Sequence, residues 1–106
     1  MIRATIGGTV IAEARDDDLI AIEGNYYFPP SALRGQLLQN SPTPYTCPWK
    51  GAAQYHDVVT DAGVFRDAAW SYPVLKASAI QRVGTDFSSY LAFDESQVTV
   101  AESGAN

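Results

Sequence analysis

Six consecutive residues, Thr46-Cys47-Pro48-Trp49-Lys50-Gly51, hold the only cysteine of the chain, one of its two tryptophans and one of its two lysines. A thiol three residues from an ammonium suits a nucleophile, because the thiolate is the reactive form and a nearby cation stabilises it. Lys50 is also suited to holding a phosphate or carboxylate, or to forming a Schiff base in an apolar pocket. Each has a plainer reading beside it. Pro48 leaves the residue after the thiol without an N–H for an oxyanion, and free cysteine favours burial as a small apolar filler. The Lys50 stem can pack on Trp49 with its ammonium in water or on a carboxylate. The one histidine, His56, falls on the strand face opposite Tyr55, so a Cys–His pairing needs special geometry.

A second aromatic knot, Trp70-Ser71-Tyr72-Pro73, stands further along. Two strand-like runs, Ala52 to Val59 and Val64 to Tyr72, flank Asp61-Ala62-Gly63. If the loop between them has two or four residues, paired positions sum to odd numbers. Tyr55 and Trp70 then share a face with Ala53 and Tyr72, and Lys50 arrives beside Tyr72 and Pro73. A three-residue loop would separate them. Strand parity over Leu19 to Glu23 puts Glu23 on the face of Leu19 and Ala21. A carboxylate partly buried there wants a cation, and Lys50 and Arg34 are the candidates. A Glu23–Lys50 pair among tyrosines would make a polar spot in an aromatic wall, the composition of a small-ligand pocket. Tyr26, Tyr27, Phe28, Trp70 and Tyr72 form either a stacking surface or a core; about half are expected inside, with one or two hydroxyls facing a cavity.

Other features carry no chemistry. Asp16-Asp17-Asp18 reads as a solvated turn. One cysteine and one histidine do not make a structural zinc site, and Gly7-Gly8 lacks the length and the following helix of a phosphate loop. No metal and no cofactor are expected.

The elements that must position these residues are mostly strands. Ile2 to Ile6 and Thr9 to Ala14 flank Gly7-Gly8 in a hairpin pattern. Tyr26 to Pro29 reads as extended chain. Ser31 to Leu38 suggests a short helix capped by Ser31, with Gly35 against it. Residues 40 to 51, with three prolines, read as a loop. Ala77 to Val83 predicts one or two helical turns closed by Gly84. Ser89 to Phe93 and Val98 to Ala101 read as the last strands. The fold class is therefore mainly β: a compact single domain over residues 1–101 with one or two helical turns, and a frayed tail at 102–106.

The chain has 106 residues, 46% of them hydrophobic, and a formal net charge of −5. Acidity argues against nucleic acid and against anionic membrane surfaces as partners. Neither a signal core nor a run of the roughly 20 apolar residues that span a membrane is seen, so a cytoplasmic protein is expected, as a monomer or homodimer. No intrachain disulfide can form.

The ordered set Ala12-Glu13, Glu23-Gly24-Asn25-Tyr26-Tyr27-Phe28-Pro29, Thr46 to Gly51, Ala53, Tyr55, Trp70-Ser71-Tyr72-Pro73, Ile80 and Ala92-Phe93 resembles the domain of unknown function 427 family across nearly the whole chain. The resemblance implies bent antiparallel sheets in an Mss4-like arrangement. Relatives of that scaffold hold zinc through cysteine pairs, which this chain lacks. The family sometimes carries a nucleotidyltransferase label. Covalent nucleotidyl transfer wants a lysine followed two residues later by Asp-Gly, whereas Lys50 is followed by Gly51-Ala52. The resemblance carries over Glu23, Tyr27, Cys47, Lys50, Tyr55, Trp70 and Tyr72 as positions, not as roles. The leading expectation is a pocket around Lys50 for a small anionic or nucleotide-like ligand. The alternatives are an enzyme using Cys47 or Lys50, transferases included, and an interaction module or homodimer.

Overall fold

Gly7 and Gly8 both have positive φ, +54° and +81°, the backbone that a tight two-residue hairpin demands and that glycine adopts without strain. They join β1 (Ile2–Ile6) to β2 (Thr9–Ala14). The computed structural model describes residues 1–103. Asp16–Asp18 forms a single 3-10 turn with no buried residue, as a solvated acidic turn should. A second, shorter hairpin pairs β3 (Ile20–Ile22) with β4 (Asn25–Tyr27).

The helix expected over Ser31 to Leu38 is absent. Two 3-10 turns, Pro30–Ala32 and Gly35–Leu37, take its place. Leu33 is bridged to Ala12, and the Arg34 N–H donates to the Ile11 carbonyl at 3.0 Å, so this backbone serves the edge of β2 instead. Most of the loop expected at 40–51 is also corrected: β5 runs Leu38–Cys47 through Pro42 and Pro44. It pairs with β6 (Gly51–Thr60), which pairs in turn with β7 (Gly63–Ser71). The loop between β6 and β7 has two residues, Asp61 and Ala62, giving the odd-sum register with Tyr55 opposite Trp70. Helix α1 (Ala77–Val83) ends on Gly84 at φ +92°. Strand β8 is only Ala92–Phe93, because Tyr90 is turned back onto Phe87. The last strand, β9 (Thr99–Glu102), reaches one residue into the expected tail; the Ser103 N–H donates to the Met1 carbonyl, and residues 104–106 of that tail lie outside the described residues.

The fold is thus mainly β, in three antiparallel sheets ordered β2-β1-β9, β3-β4 and β5-β6-β7-β8. Two apolar clusters hold it. One centres on Ile11, Phe28, Val58, Phe93 and Val98, all almost fully buried. The other contains Ile22, Tyr27, Cys47, Tyr72, Phe87 and Ala92, with Trp49 and Trp70 packed against it. No helix among the described residues is long and apolar enough to cross a membrane.

Candidate functional site

Cys47 and Gly51 are register partners at the end of the β5–β6 ladder, which leaves Pro48, Trp49 and Lys50 as the turn between them. Proline is at home there, since a turn residue needs no ladder N–H. Gly51 has φ +120°, and a Cβ on it would lie 2.9 Å from the Val74 carbonyl oxygen. Only glycine permits that approach. The Lys50 carbonyl accepts the Lys76 N–H at 3.0 Å, and the Lys76 ammonium donates to the Pro48 carbonyl at 2.8 Å. The turn is therefore pinned to the segment that follows Trp70-Ser71-Tyr72-Pro73, and this joins the two aromatic motifs.

Lys50 is 3% exposed. Its ammonium donates to the Glu23 carboxylate and, at 3.7 Å, to Cys47 Sγ. It lies 4.4 Å from the Trp49 ring centre and 5.3 Å from that of Tyr72, within cation–π range. Glu23 is not a strand residue as parity had suggested. It occupies the β3–β4 turn at φ +54°, and the turn, not a strand face, aims it at Lys50. Arg34, the other cation expected for it, forms no ion pair with Glu23. Trp49 Nε1 approaches the second Glu23 oxygen at 3.4 Å. The hydrogen bond from Lys50 holds the Glu23 carboxyl below its ordinary value. Burial pulls the Lys50 ammonium down, but the hydrogen bond to Glu23 together with the charges of Tyr27, Cys47 and Glu23 more than offsets it, and the net direction is up. Both partners are thus charged at neutral pH.

Burial pushes the Cys47 thiol up. The backbone N–H groups of Lys50 and Trp49, with the Lys50 charge, more than reverse this, and its pKa falls below the ordinary thiol value. Burial raises the pKa values of the Tyr27, Tyr55 and Tyr72 phenols, so all three stay protonated at neutral pH.

A cavity of about 370 Å³ opens over these groups. The seven positions singled out in the sequence, Glu23, Tyr27, Cys47, Lys50, Tyr55, Trp70 and Tyr72, all line it. Trp70 Nε1 donates to the Tyr27 hydroxyl at 3.2 Å, and Tyr55 meets Trp70 edge-on with ring centres 6.4 Å apart. Asn25, Tyr45, Pro48 and Trp49 complete the wall. Tyr45 went unseen because it lies in the segment read as loop. Arg82 of α1 packs on Trp49 at 4.2 Å from the ring centre; no local signal at Arg82 links it to Trp49 in the sequence. Of the five aromatics weighed as one surface, Phe28 belongs to the other core and Tyr26 is exposed. His56 is directed elsewhere, to the Ser71 hydroxyl at 3.0 Å, and burial lowers its pKa. Among the described residues no three His, Cys, Asp or Glu side chains converge as metal ligands would.

The family model labelled NTP_transf_9, described as a domain of unknown function (DUF427), matches residues 1–104. The chain belongs to this family. No curated protein matches it. In this DUF427 domain the Cys-Pro-Trp-Lys-Gly segment is the turn that buries the ammonium, and the Trp-Ser-Tyr-Pro segment is the wall facing it. The geometry offers a held cation, a thiol with a lowered pKa and a set of phenol and indole donors around one opening.

Proposed function

We propose that this DUF427 domain binds a small molecule bearing an anionic or nucleotide-like group in the cavity over Lys50. One observation carries the reading: an ammonium 3% exposed forms the wall of a cavity of about 370 Å³ that is otherwise largely aromatic. Burying a cation is costly, and a fold that needed only a filled core would place an apolar side chain here. Glu23 orients the ammonium, Lys50 holds the anionic group, and Tyr27, Trp70 and Tyr72 form the apolar wall. The volume lies at the small end of the roughly 300–1,000 Å³ typical of ligand pockets.

The test is a thermal-shift screen of small carboxylates, phosphate esters and nucleotides against the wild type and Lys50→Met. A ligand at about 100 times its Kd adds about 2.7 kcal/mol to the folded state. The expected result is at least one stabilising anion whose effect vanishes in Lys50→Met, while the melting temperature without ligand changes little. A panel that stabilises both proteins alike, or neither, removes the reading.

A second reading, an enzyme with Cys47 as nucleophile, is favoured by the thiol's place in the cavity wall beside the ammonium and by its lowered pKa. Its test is the selective alkylation described below.

A further inference from the structure

Among the hydrogen-bond donors that line the cavity, Lys50, Tyr27 and Tyr72 each have a proton with no acceptor among the described residues. Lys50 carries three N–H groups; Glu23 takes one and Cys47 Sγ another. The Tyr27 hydroxyl accepts from Trp70 but donates to no described residue. The Tyr72 hydroxyl, on a residue 4% exposed, has no partner among the described residues. Among the described residues the one buried side-chain polar atom with no partner is Asp67 Oδ1, away from this cavity, so these donors open onto the cavity, where a ligand carrying acceptors can take the place of water. An oxyanion presents several lone pairs to such a cluster.

The charge of the wall limits how many oxyanions it takes. Among the described residues Lys50 is the only cation lining the cavity, and its charge is already shared with Glu23. Arg82 stacks on Trp49 and lines a neighbouring hollow with Ile20 and Val83. A polyphosphate would bring several negative charges to one half-neutralised ammonium, in a chain of net charge −5. Besides Asn25 and Pro48, the remaining wall is ring surface: Trp70 and Tyr55 edge-on, with the exposed Tyr45 beside them. That surface suits a planar apolar body.

We infer that the ligand class of this cavity is a planar ring bearing a single oxyanion, an aryl or heteroaryl carboxylate, and not a nucleoside triphosphate. The inference rests on the binding reading above and narrows it. The carboxylate lies on Lys50, Tyr27 and Tyr72, and the ring lies against Trp70 and Tyr55.

Calorimetric titration tests this with benzoate, 4-hydroxybenzoate and indole-3-carboxylate, each against its neutral carboxamide, and with ATP in the presence and absence of Mg²⁺. Aromatic-region NMR of the same samples reports whether the cavity tyrosines and tryptophans move. At least one carboxylate should bind about tenfold or more tightly than its amide, the difference expected of a charge-assisted over a neutral contact. Tyr72→Phe should weaken that carboxylate about three- to tenfold and leave the unliganded melting temperature nearly unchanged. Equal binding of acid and amide overturns the oxyanion assignment. ATP binding more tightly than every carboxylate, with shifts at the cavity rings, overturns the ligand class and leaves the cavity as a binding site. Absence of shifts with any of these probes overturns both.

Discussion

Replacing Glu23 by Gln should destabilise the fold more than replacing its partner Lys50 by Met, because the two side chains sit in different solvents. The Lys50 side chain is 4% exposed and that of Glu23 is 54% exposed. Breaking a fully buried pair costs about 3–5 kcal/mol, and an exposed pair is worth only about 0–1 kcal/mol. Glu23→Gln leaves a buried ammonium with a neutral acceptor of the same shape, so a cost of about 1–2 kcal/mol follows, well below the buried limit. For a domain near 100 residues that is about 5–15 °C in Tm. Lys50→Met leaves a carboxylate that water can reach and fills the site with an apolar chain of similar length, so its cost should stay under about 1 kcal/mol. The pH dependence has a definite sign. Glu23 has a lowered pKa in the fold, so its contribution is full above its ordinary value of 4.5 and is lost as pH falls through the lowered one. Lys50 has a raised pKa, so its contribution is full below its ordinary 10.5 and is lost as pH rises through the raised one. The gap between wild type and Glu23→Gln should therefore be widest between those limits and close at both ends. Urea unfolding of both variants and the wild type across pH measures it. A larger loss for Lys50→Met than for Glu23→Gln, or a gap indifferent to pH, would refute the argument that Glu23 compensates a buried charge.

Cys47 should react selectively with iodoacetamide in the folded protein, with a pH midpoint below the ordinary thiol value of 9.0. Lys50→Met should move that midpoint up; mass spectrometry of the alkylated peptide reads both, and an inert thiol ends the nucleophile reading. Gly51→Ala should cost about 1–3 kcal/mol, the range for a residue forced into a left-handed backbone. Its Cβ also meets the Val74 carbonyl oxygen at 2.9 Å. Chemical unfolding measures the loss, and a neutral result would mean that the β5–β6 turn is not pinned as described.

The site was more legible than parts of the scaffold around it. The sequence placed Tyr55 with Trp70 and Tyr72 only on condition of a two- or four-residue loop, and Asp61 and Ala62 supply the two-residue case, with its odd-sum parity. That parity survives Asp67, which sits at φ +52° where the register shifts, because the shift changes the sum by two. Strand β5 was not legible, since two prolines in a strand argue against one. It tolerates them as the edge of its sheet, and its ladder to β6 is interrupted between Asn40 and Pro44, the stretch that contains Pro42. The 31–38 segment failed as a helix for a long-range reason: Leu33 and Arg34 bind the backbone of β2. Glu23 was paired with the right cation on the wrong geometry, because a glutamate at positive φ is not something strand alternation anticipates.

Alternation also explains why one small chain can keep a polar cation inside. In β4 and just beyond it, Tyr27 joins the cluster under the cavity while the next residue, Phe28, joins the other. In β7, Ala68 and Ala69 both go to that other cluster, next to the irregularity at Asp67, and Trp70 goes to the cavity side; in β8, Phe93 joins the other cluster and Ala92 the one under the cavity. Ala68 apart, each of these three strands therefore contributes one face to an apolar foundation and the opposite face to the cavity side. The foundation carries the completely buried residues Phe28, Ala69 and Val58 and holds no buried cation. The unfavourable burial of Lys50 is confined to the second face, where Glu23, Cys47 and the rings of Trp49 and Tyr72 meet it. Substitutions at Trp70 or Tyr27 can therefore alter the surroundings of Lys50 while Phe28, Ala69 and Phe93 keep the foundation packed.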